Sequence, residues 1–536
     1  MSHNATPGRS RMRHQFSQVP RAQIERSSFD RSHGLKTTMN SGYLVPVFVD
    51  EALPGDTFNL HATAFGRLAT PLHPFMDNLF LDTFFFFVPN RLVWTNFPKF
   101  FGEQDNPADS TSFLVPTATS PGGGYLENTL HDYMGLPTKV AGVVHNNLHL
   151  RAYNLIWNQW FRDQNLQNSV LVDKGDGPDT STNYVIKRRG KRHDYFTSCL
   201  PWPQKGPAVN IPLGGTAPVT GIGWTGNAVA TNPAFTTDGL SALAPSGTAA
   251  GVATTLVVKT QATGALSTSN RPQVFADLST ATASTINQLR QAFAIQKIYE
   301  RDARGGTRYT ELIQAHFGVT SPDARLQRAE YLGGGSVPFN VNPIAQTSAT
   351  AISGGSTPQG NLSAMGTVHA NGHGFTKSFT EHGVILGLAS VRADLNYMQG
   401  LNRMWFRQTR FDFYWPALAH IGEQSVLNKE IYSQGVPATD DAVFGYQERY
   451  AEYRYKPSMI TGLFRSNATA PLDSWHLAQK FTALPALNAT FIEENPPVDR
   501  VIAVPSEPQL ILDIYFKLRC ARPMPVYSVP GFIDHF

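Results

Sequence analysis

Three reactive spacings can be read in this chain of 536 residues, and each is undone by its surroundings. Gly221, Gly223 and Gly226 complete a G-x-G-x-x-G, which between a strand and a helix brings backbone N–H groups up to a pyrophosphate. Here Pro233 blocks a helix in the following NAVATNPAF, so no dinucleotide cofactor is expected. His369 and His373 have the i, i+4 spacing that lets two imidazoles share a metal on one helix face. Two glycines in HANGHGF oppose that helix, and the segment reads as a loop that holds no metal. Glu493-Glu494 and Asp440-Asp441 are adjacent pairs that diverge on a strand, so neither offers two carboxylates converging on a glycosidic bond. Without a P-loop, an H-E-x-x-H or a G-x-S-x-G elbow, no catalytic site is expected.

The chemistry that remains is phosphate binding. Residues 1–36 carry Arg9, Arg11, Arg13, Arg21, Arg26, Arg31 and Lys36 against Glu25 and Asp30, a net of +5 on a chain whose total is +4. A basic arm on a nearly neutral body suits nucleic acid, because each phosphate neutralised releases condensed counterions. The bland reading is a solvated terminus. A second cluster, KRRGKRHDYFTSCLPWPQKG, presents Lys187, Arg188, Arg189, Lys191 and Arg192 to phosphates, with Tyr195, Phe196 and Trp202 for stacking on unpaired bases. Its competing readings are a loop followed by buried aromatics, and ion pairs between subunits. GYQERYAEYRYKP alternates Tyr with both signs of charge, and looks more like a paired strand or an interface than a phosphate track.

Elements that would position these groups follow mostly a period of two. In LILDIYFKL, Leu510, Leu512, Ile514, Phe516 and Leu518 face one way and Ile511, Asp513, Tyr515 and Lys517 the other. FNLHATAF from Phe58, GVILGLASV from Gly383 and RFDFYW from Arg410 read similarly, and their wide separation argues for a sandwich or barrel closed by non-local pairing. The helical spacing of Tyr153, Ile156, Trp157, Trp160 and Phe161 predicts one packing helix. Tyr309, Leu312, Ile313, His316 and Phe317, stopped by Gly318, predict a second. A third, with Ser284 or Thr285 as N-cap, an apolar face of Ile286, Leu289 and Phe293 and Gly305-Gly306 as terminator, lies between them. Two tracts of small residues with almost no charge, from Pro207 to Asn270 and from Ser348 to Gly374, read as surface excursions.

One stretch demands an explanation. LFLDTFFFFVPNRLVW sets Phe84, Phe85, Phe86 and Phe87 side by side, which on a strand loads both faces of a sheet. The apolar run ends at Pro89 and Arg91, too short for a bilayer, so protein must cover both faces: a second sheet with an inserted loop, or a neighbouring subunit. Phe84 to Phe87, Trp94 and Trp202 are therefore candidate core or interface aromatics. Charged residues make up 16%, against roughly 25% in an average soluble domain, and favour a chain packed against copies of itself. The amino-terminal MSHNATPGRSRMRHQF has no apolar signal-peptide core, and Cys199 and Cys520 alone supply no disulfide framework.

Nine segments in order resemble the major capsid protein of the Microviridae, specifically its gokushovirus branch. They are EALPGDTF at Glu51, DTFFFFVPNRLVW at Asp82, LHDYMGLP at Leu130, YNLIWNQWFRDQNL at Tyr153 and HDYFTSCLPWPQKG at His193. INQLRQAFAIQK at Ile286, ERDARGGTRYTELI at Glu300, FGYQERYAEYRYKPS at Phe444 and MPVYSVPGFIDHF at Met524 complete the set.

The resemblance implies an all-β fold: an eight-stranded antiparallel jelly roll with long loop insertions containing several α-helices. On that basis residues 1–40 form a basic arm, 41–536 the capsid domain, and 207–270 a variable surface protrusion used in host attachment. It also implies a T=1 icosahedral shell of sixty copies around circular single-stranded DNA, assembled in a bacterial cytoplasm without membrane insertion. The implied partners are a small basic DNA-packaging protein, a minor pilot protein and a host-cell receptor. Charge supports the need for help, since sixty arms supply roughly 300 positive charges and even a small genome brings thousands of phosphates. A soluble glycan-binding jelly roll and a β-sandwich glycosidase are the rival readings.

Overall fold

The computed structural model describes residues 25–209, 219–220, 222–224, 256–258, 275–276, 286–306, 308–320, 327–347, 350–352, 355–357 and 360–527. The chain divides into two compact units, Met1–Pro203 with Gly306–Phe536, and Gln204–Gly305.

The larger unit is mostly antiparallel β-structure, built on two sheets. The first uses β1 (Ser27–Asp30), β2 (His33–Met39), β4 (Thr57–Leu68), β7 (Asn340–Ala345), β8 (Leu362–Ser378) and β12 (Leu510–Arg522). Its order is β1-β12-β4-β8-β7, with β2 also paired to β12. The second contains β3 (Val45–Ala52), β5 (Leu79–Pro89), β6 (Glu330–Pro338) and β9 (Gly383–Ala393) in the order β6-β5-β9-β3. Strands distant in sequence lie side by side, as the separated period-two segments require.

The difference between the sheets explains the four phenylalanines. Strand β12 alternates buried and exposed from Leu510 to Cys520, the mark of a sheet with one wet face. Strand β9 is buried at nearly every position and β5 at most, so the second sheet is covered on both faces. Phe85 and Phe87 enter a core shared with the first sheet, where they meet Phe375 (ring centroids 5.6 Å apart) and Phe379 (4.6 Å) among Leu60, Leu512 and Phe516. On the opposite face Phe86, only 1% exposed, packs with Trp160 (5.5 Å) and Phe161 (5.8 Å), and Phe84 with Phe161 (5.3 Å). Those rings come from the π-helical turn Trp157–Phe161 that continues α1 (Leu148–Ile156). The cover is thus internal on both sides, and Trp94 is fully buried in the same second core.

An ion pair fixes this helix. Arg151, fully buried, donates through Nε to Asp179 Oδ2 at 2.7 Å and through Nη1 to the carbonyls of Val93 and Gly175. Tyr184 Oη donates to the same Asp179 oxygen at 2.6 Å. Burial alone would raise the Asp179 pKa, but the hydrogen bonds from Arg151, Tyr184 and Asn147 outweigh it and leave the carboxyl lowered.

Four expectations are corrected. RFDFYW is no strand: residues 409–413 are bend and turn, because the Asp412 carboxylate accepts from the backbone N–H of Gln408 (3.0 Å) and Thr409 (2.7 Å). HANGHGF is no loop but part of β8, where a bulge between Ala370 and His373 absorbs Gly372 at φ +77°. Gly374 lies so close to β4 that a Cβ would sit 1.9 Å from the Leu60 carbonyl oxygen. The tract from Ser348 is therefore core sheet from Leu362 onward rather than a surface excursion. The helix α3 (Tyr309–Phe317), capped by Gly318 at φ +70°, leaves Tyr309 and Phe317 exposed instead of packed.

The smaller unit contains two short antiparallel pairs, Val219–Thr220 with Phe275–Ala276 and Ile222–Trp224 with Leu256–Val258, and α2 (Ile286–Gly305). Ile286 and Phe293 of α2 are exposed rather than packed. Gly221, Gly226, Ser284 and Thr285 lie outside the described residues, as does most of the 207–270 tract.

Candidate functional site

Among the described residues the histidine and carboxylate spacings do not gather into a catalytic constellation. His373 is buried against Thr83, its Nδ1 2.8 Å from the hydroxyl, and burial pushes its pKa down. Asp440 accepts from the backbone N–H of Gln434 and Gly435, which fixes a turn. Glu494 is buried, and desolvation pushes its carboxyl up to about 7 despite the opposing pull of Lys191. Among the described residues no group of three or more His, Cys, Asp or Glu side chains could hold a metal. Cys199 and Cys520 are buried and form no disulfide.

The basic cluster at 187–192 is mostly engaged inside the chain. Arg189 pairs with Asp82 of β5 and lies over the Phe84 ring at 5.0 Å. Arg188 donates to the Glu494 carbonyl (3.0 Å) and Asn495 Oδ1 (2.9 Å), stacked 4.1 Å from Tyr43. Lys187 sits over Trp157, and Lys191 is buried over Phe491, where desolvation lowers its pKa. Arg192 alone of the five is exposed. The neighbouring Tyr195 and Phe196 are buried and Trp202 is half-buried, so the stacking partners assigned from sequence are largely core. Tyr195 donates to Glu430 at 2.9 Å.

Within residues 1–40, expected to form an arm, β1 and β2 belong to the first sheet. Arg9, Arg11, Arg13 and Arg21 lie outside the described residues. Arg31 makes a two-pronged pair with Asp50 (2.6 and 2.9 Å), Arg26 donates to Thr57, and Lys36 reaches Asp513 at 3.6 Å on an exposed edge.

What the residue patterns missed is a surface. Residues 408–417 are exposed without a break and include Phe411, Phe413, Tyr414 and Trp415. Trp405, Tyr453, Tyr455 and Met459 are exposed as well, and the ring of Tyr453 lies 6.2 Å from that of Tyr414. The signal was present in the interleaving of Arg with aromatics in RMWFRQTRFDFYW, but its apparent alternation imitates a strand. GYQERYAEYRYKP is split: β11 (Val443–Glu448) pairs with β10 (Glu423–Leu427), and beyond Tyr450 the chain leaves the sheet.

Comparison with known proteins settles what kind of molecule carries these surfaces. A family model described as capsid protein (F protein) of phages matches residues 17–532. The chain belongs to this capsid protein family. It is 49% identical to capsid protein VP1 of Bdellovibrio phage phiMH2K, over 98% of each chain. It is also 49% identical to capsid protein VP1 of Chlamydia phage 1, over 97% of this chain and 98% of that one. Capsid protein VP1 of Spiroplasma virus 4 is 39% identical over 97% of each chain. All three are Microviridae.

As a family member the chain is a structural major capsid protein of a phage virion, and not an enzyme. That role accounts for the geometry: the buried charges serve packing, and the exposed aromatics belong to a chain that assembles into a multi-subunit capsid. No helix among the described residues is long and apolar enough to cross a membrane.

Proposed function

We propose that this capsid protein forms a T=1 shell of sixty copies around circular single-stranded DNA, in the gokushovirus branch of the Microviridae. In this reading the two sheets are an eight-stranded jelly roll with additional edge strands, and the helical segments are its insertions. The observation that carries it is the family match along nearly the whole chain, taken with apolar side chains that one copy leaves in water. Tyr309 and Phe317 of α3 and the aromatic run at 411–415 are surfaces of the type that a neighbouring subunit or packaged strand covers.

The arm residues Arg9, Arg11, Arg13, Arg21, Arg26, Arg31 and Lys36 would hold DNA without sequence preference, helped by a small basic packaging protein. Of the second cluster, Arg192 keeps a side chain open to phosphate. The 207–270 tract would be a protrusion that meets a host receptor, and a minor pilot protein would complete the particle.

Electron microscopy of the purified chain tests the reading. Closed shells of one size are expected, and shells should still form after residues within 207–270 are trimmed, with host adsorption lost. A stable monomer or small oligomer by light scattering overturns the sixty-copy shell.

A further inference from the structure

We propose that the surface formed by residues 403–415 and 450–459 is a stacking site for unpaired bases of single-stranded DNA. This deepens the reading above by placing base contacts on the folded body rather than on the amino-terminal arm. The argument starts from charge. The stretches 403–415 and 450–459 hold Arg403, Arg407, Arg410, Arg454 and Lys456 against Asp412 and Glu452.

The carboxylates are occupied within the chain. Glu452 accepts from Arg407 (3.2 Å) and from Gln424 (2.6 Å), Asp412 caps its own turn, and Glu448 pairs with Arg454 at 2.7 Å. Arg410 and Lys456 are both exposed, and neither makes an ion pair among the described residues. The surplus is therefore positive and faces solvent.

The rings are arranged to receive flat partners. The Arg410 guanidinium lies over Phe411 (5.1 Å) and Trp415 (5.3 Å), and Arg407 over Tyr453 (4.2 Å). Arg407 is itself nearly buried against Glu452, but Arg410 and the rings of Phe411, Trp415 and Tyr453 are exposed, and an open guanidinium or aromatic plane there can stack on a base. Beside it a cleft of about 270 Å³ is walled by Met404, Trp405, Tyr455 and Met459, with Trp405 72% exposed. Its inner end holds Arg403 and Glu430, joined at 3.0 Å, and Tyr195 completes the carboxylate's hydrogen bonds. A single base fits such a volume, with its backbone phosphate reaching Lys456 at the rim. Arg, Met and aromatic rings are also common at the centre of a joint between two copies, but Lys is depleted there, so the exposed Lys456 at the rim is what favours a phosphate over a second copy.

The experiment uses the full chain and a labelled oligothymidylate, with the same strand annealed to its complement as control. Trp405→Ala and Trp415→Ala should each weaken single-strand binding roughly tenfold, and Trp→Phe at either position should restore most of it. Duplex binding should change little. Arg410→Gln with Lys456→Gln, on exposed side chains that the fold does not need, should lower the slope of log affinity against log salt by about 1.4. Unchanged single-strand affinity and salt slope in all of these variants overturns the proposal. If affinity is unchanged while shells no longer form, the surface is a joint between copies, which overturns the site and leaves the capsid reading intact. Absence of shells from the unaltered chain overturns that reading instead, and the binding assay still decides this one.

Discussion

Two aromatic runs in this chain have nearly the same composition and opposite fates. Phe84–Phe87 on β5 are buried or half-buried between a sheet and a helix, whereas Phe411, Phe413, Tyr414 and Trp415 stand in water on a turn. The first run finishes inside one copy what its residues demand. The second leaves the demand unmet, and what meets it must come from outside the chain. Aromatic content by itself therefore does not distinguish a core from an interface; the deciding feature is whether the backbone carries a ladder of hydrogen bonds that places other elements over the rings.

Removing one ring from the sealed run should break the comparison most severely. Phe86→Ala takes away a side chain that contacts Trp160, Phe161 and Tyr331, and the rigid sheet beneath cannot collapse into the space. A loss of about 3–5 kcal/mol in urea denaturation is expected, by transfer and cavity terms together. A loss below about 1 kcal/mol would show that the helix cover is loose and that the strand's second face waits for a neighbour.

Much of this was legible in the residues, for physical reasons. The alternation of β12 survives intact because a sheet with one wet face imposes a strict period of two, and Leu510 to Leu518 point inward as read. Four consecutive phenylalanines announced two covers, although the residues could not say whether the second cover was a helix of the same chain. The misreadings share a cause. RFDFYW alternates by accident on a turn held by Asp412, and HANGHGF hides a strand because its glycines serve a bulge and a close approach to β4. Long-range partners such as Asp82 for Arg189 lie 107 residues away, so the residues alone left the cluster at 187–192 open between phosphate binding, a loop before buried aromatics and ion pairs between subunits. The 403–459 surface was the hardest to see, since it depends on which neighbouring carboxylates are already occupied.

Charge extends the comparison from rings to ions. Glu494 is buried, whereas Arg410 stands in solvent. Because desolvation raises the Glu494 carboxyl from 4.5 to about 7, the folded chain keeps a proton that the unfolded chain has lost between those values. Its contribution to stability is complete below about pH 4.5 and disappears as pH rises through about 7, at up to about 1.4 kcal/mol per pH unit. Glu494→Gln cannot ionise, so it should remove a decline of about 1–3 kcal/mol across that window when unfolding is followed against pH. An unchanged profile would mean that the Lys191 ammonium fully compensates the carboxylate.

The smallest expected effect is the sharpest contrast. Phe411→Ala deletes the same atoms as Phe86→Ala, but from a ring that is 56% exposed and touched on one face by Arg410. Little buried area is lost and no cavity opens, so the stability of the unassembled chain should change by less than about 1 kcal/mol, mostly the cation–π contact. Any effect on particles would then arise in what the ring meets after folding, in the strand or subunit that covers it. A destabilisation comparable to that of Phe86→Ala would mean that the 408–417 segment is sealed within the single copy, and the contrast between the two runs would fail.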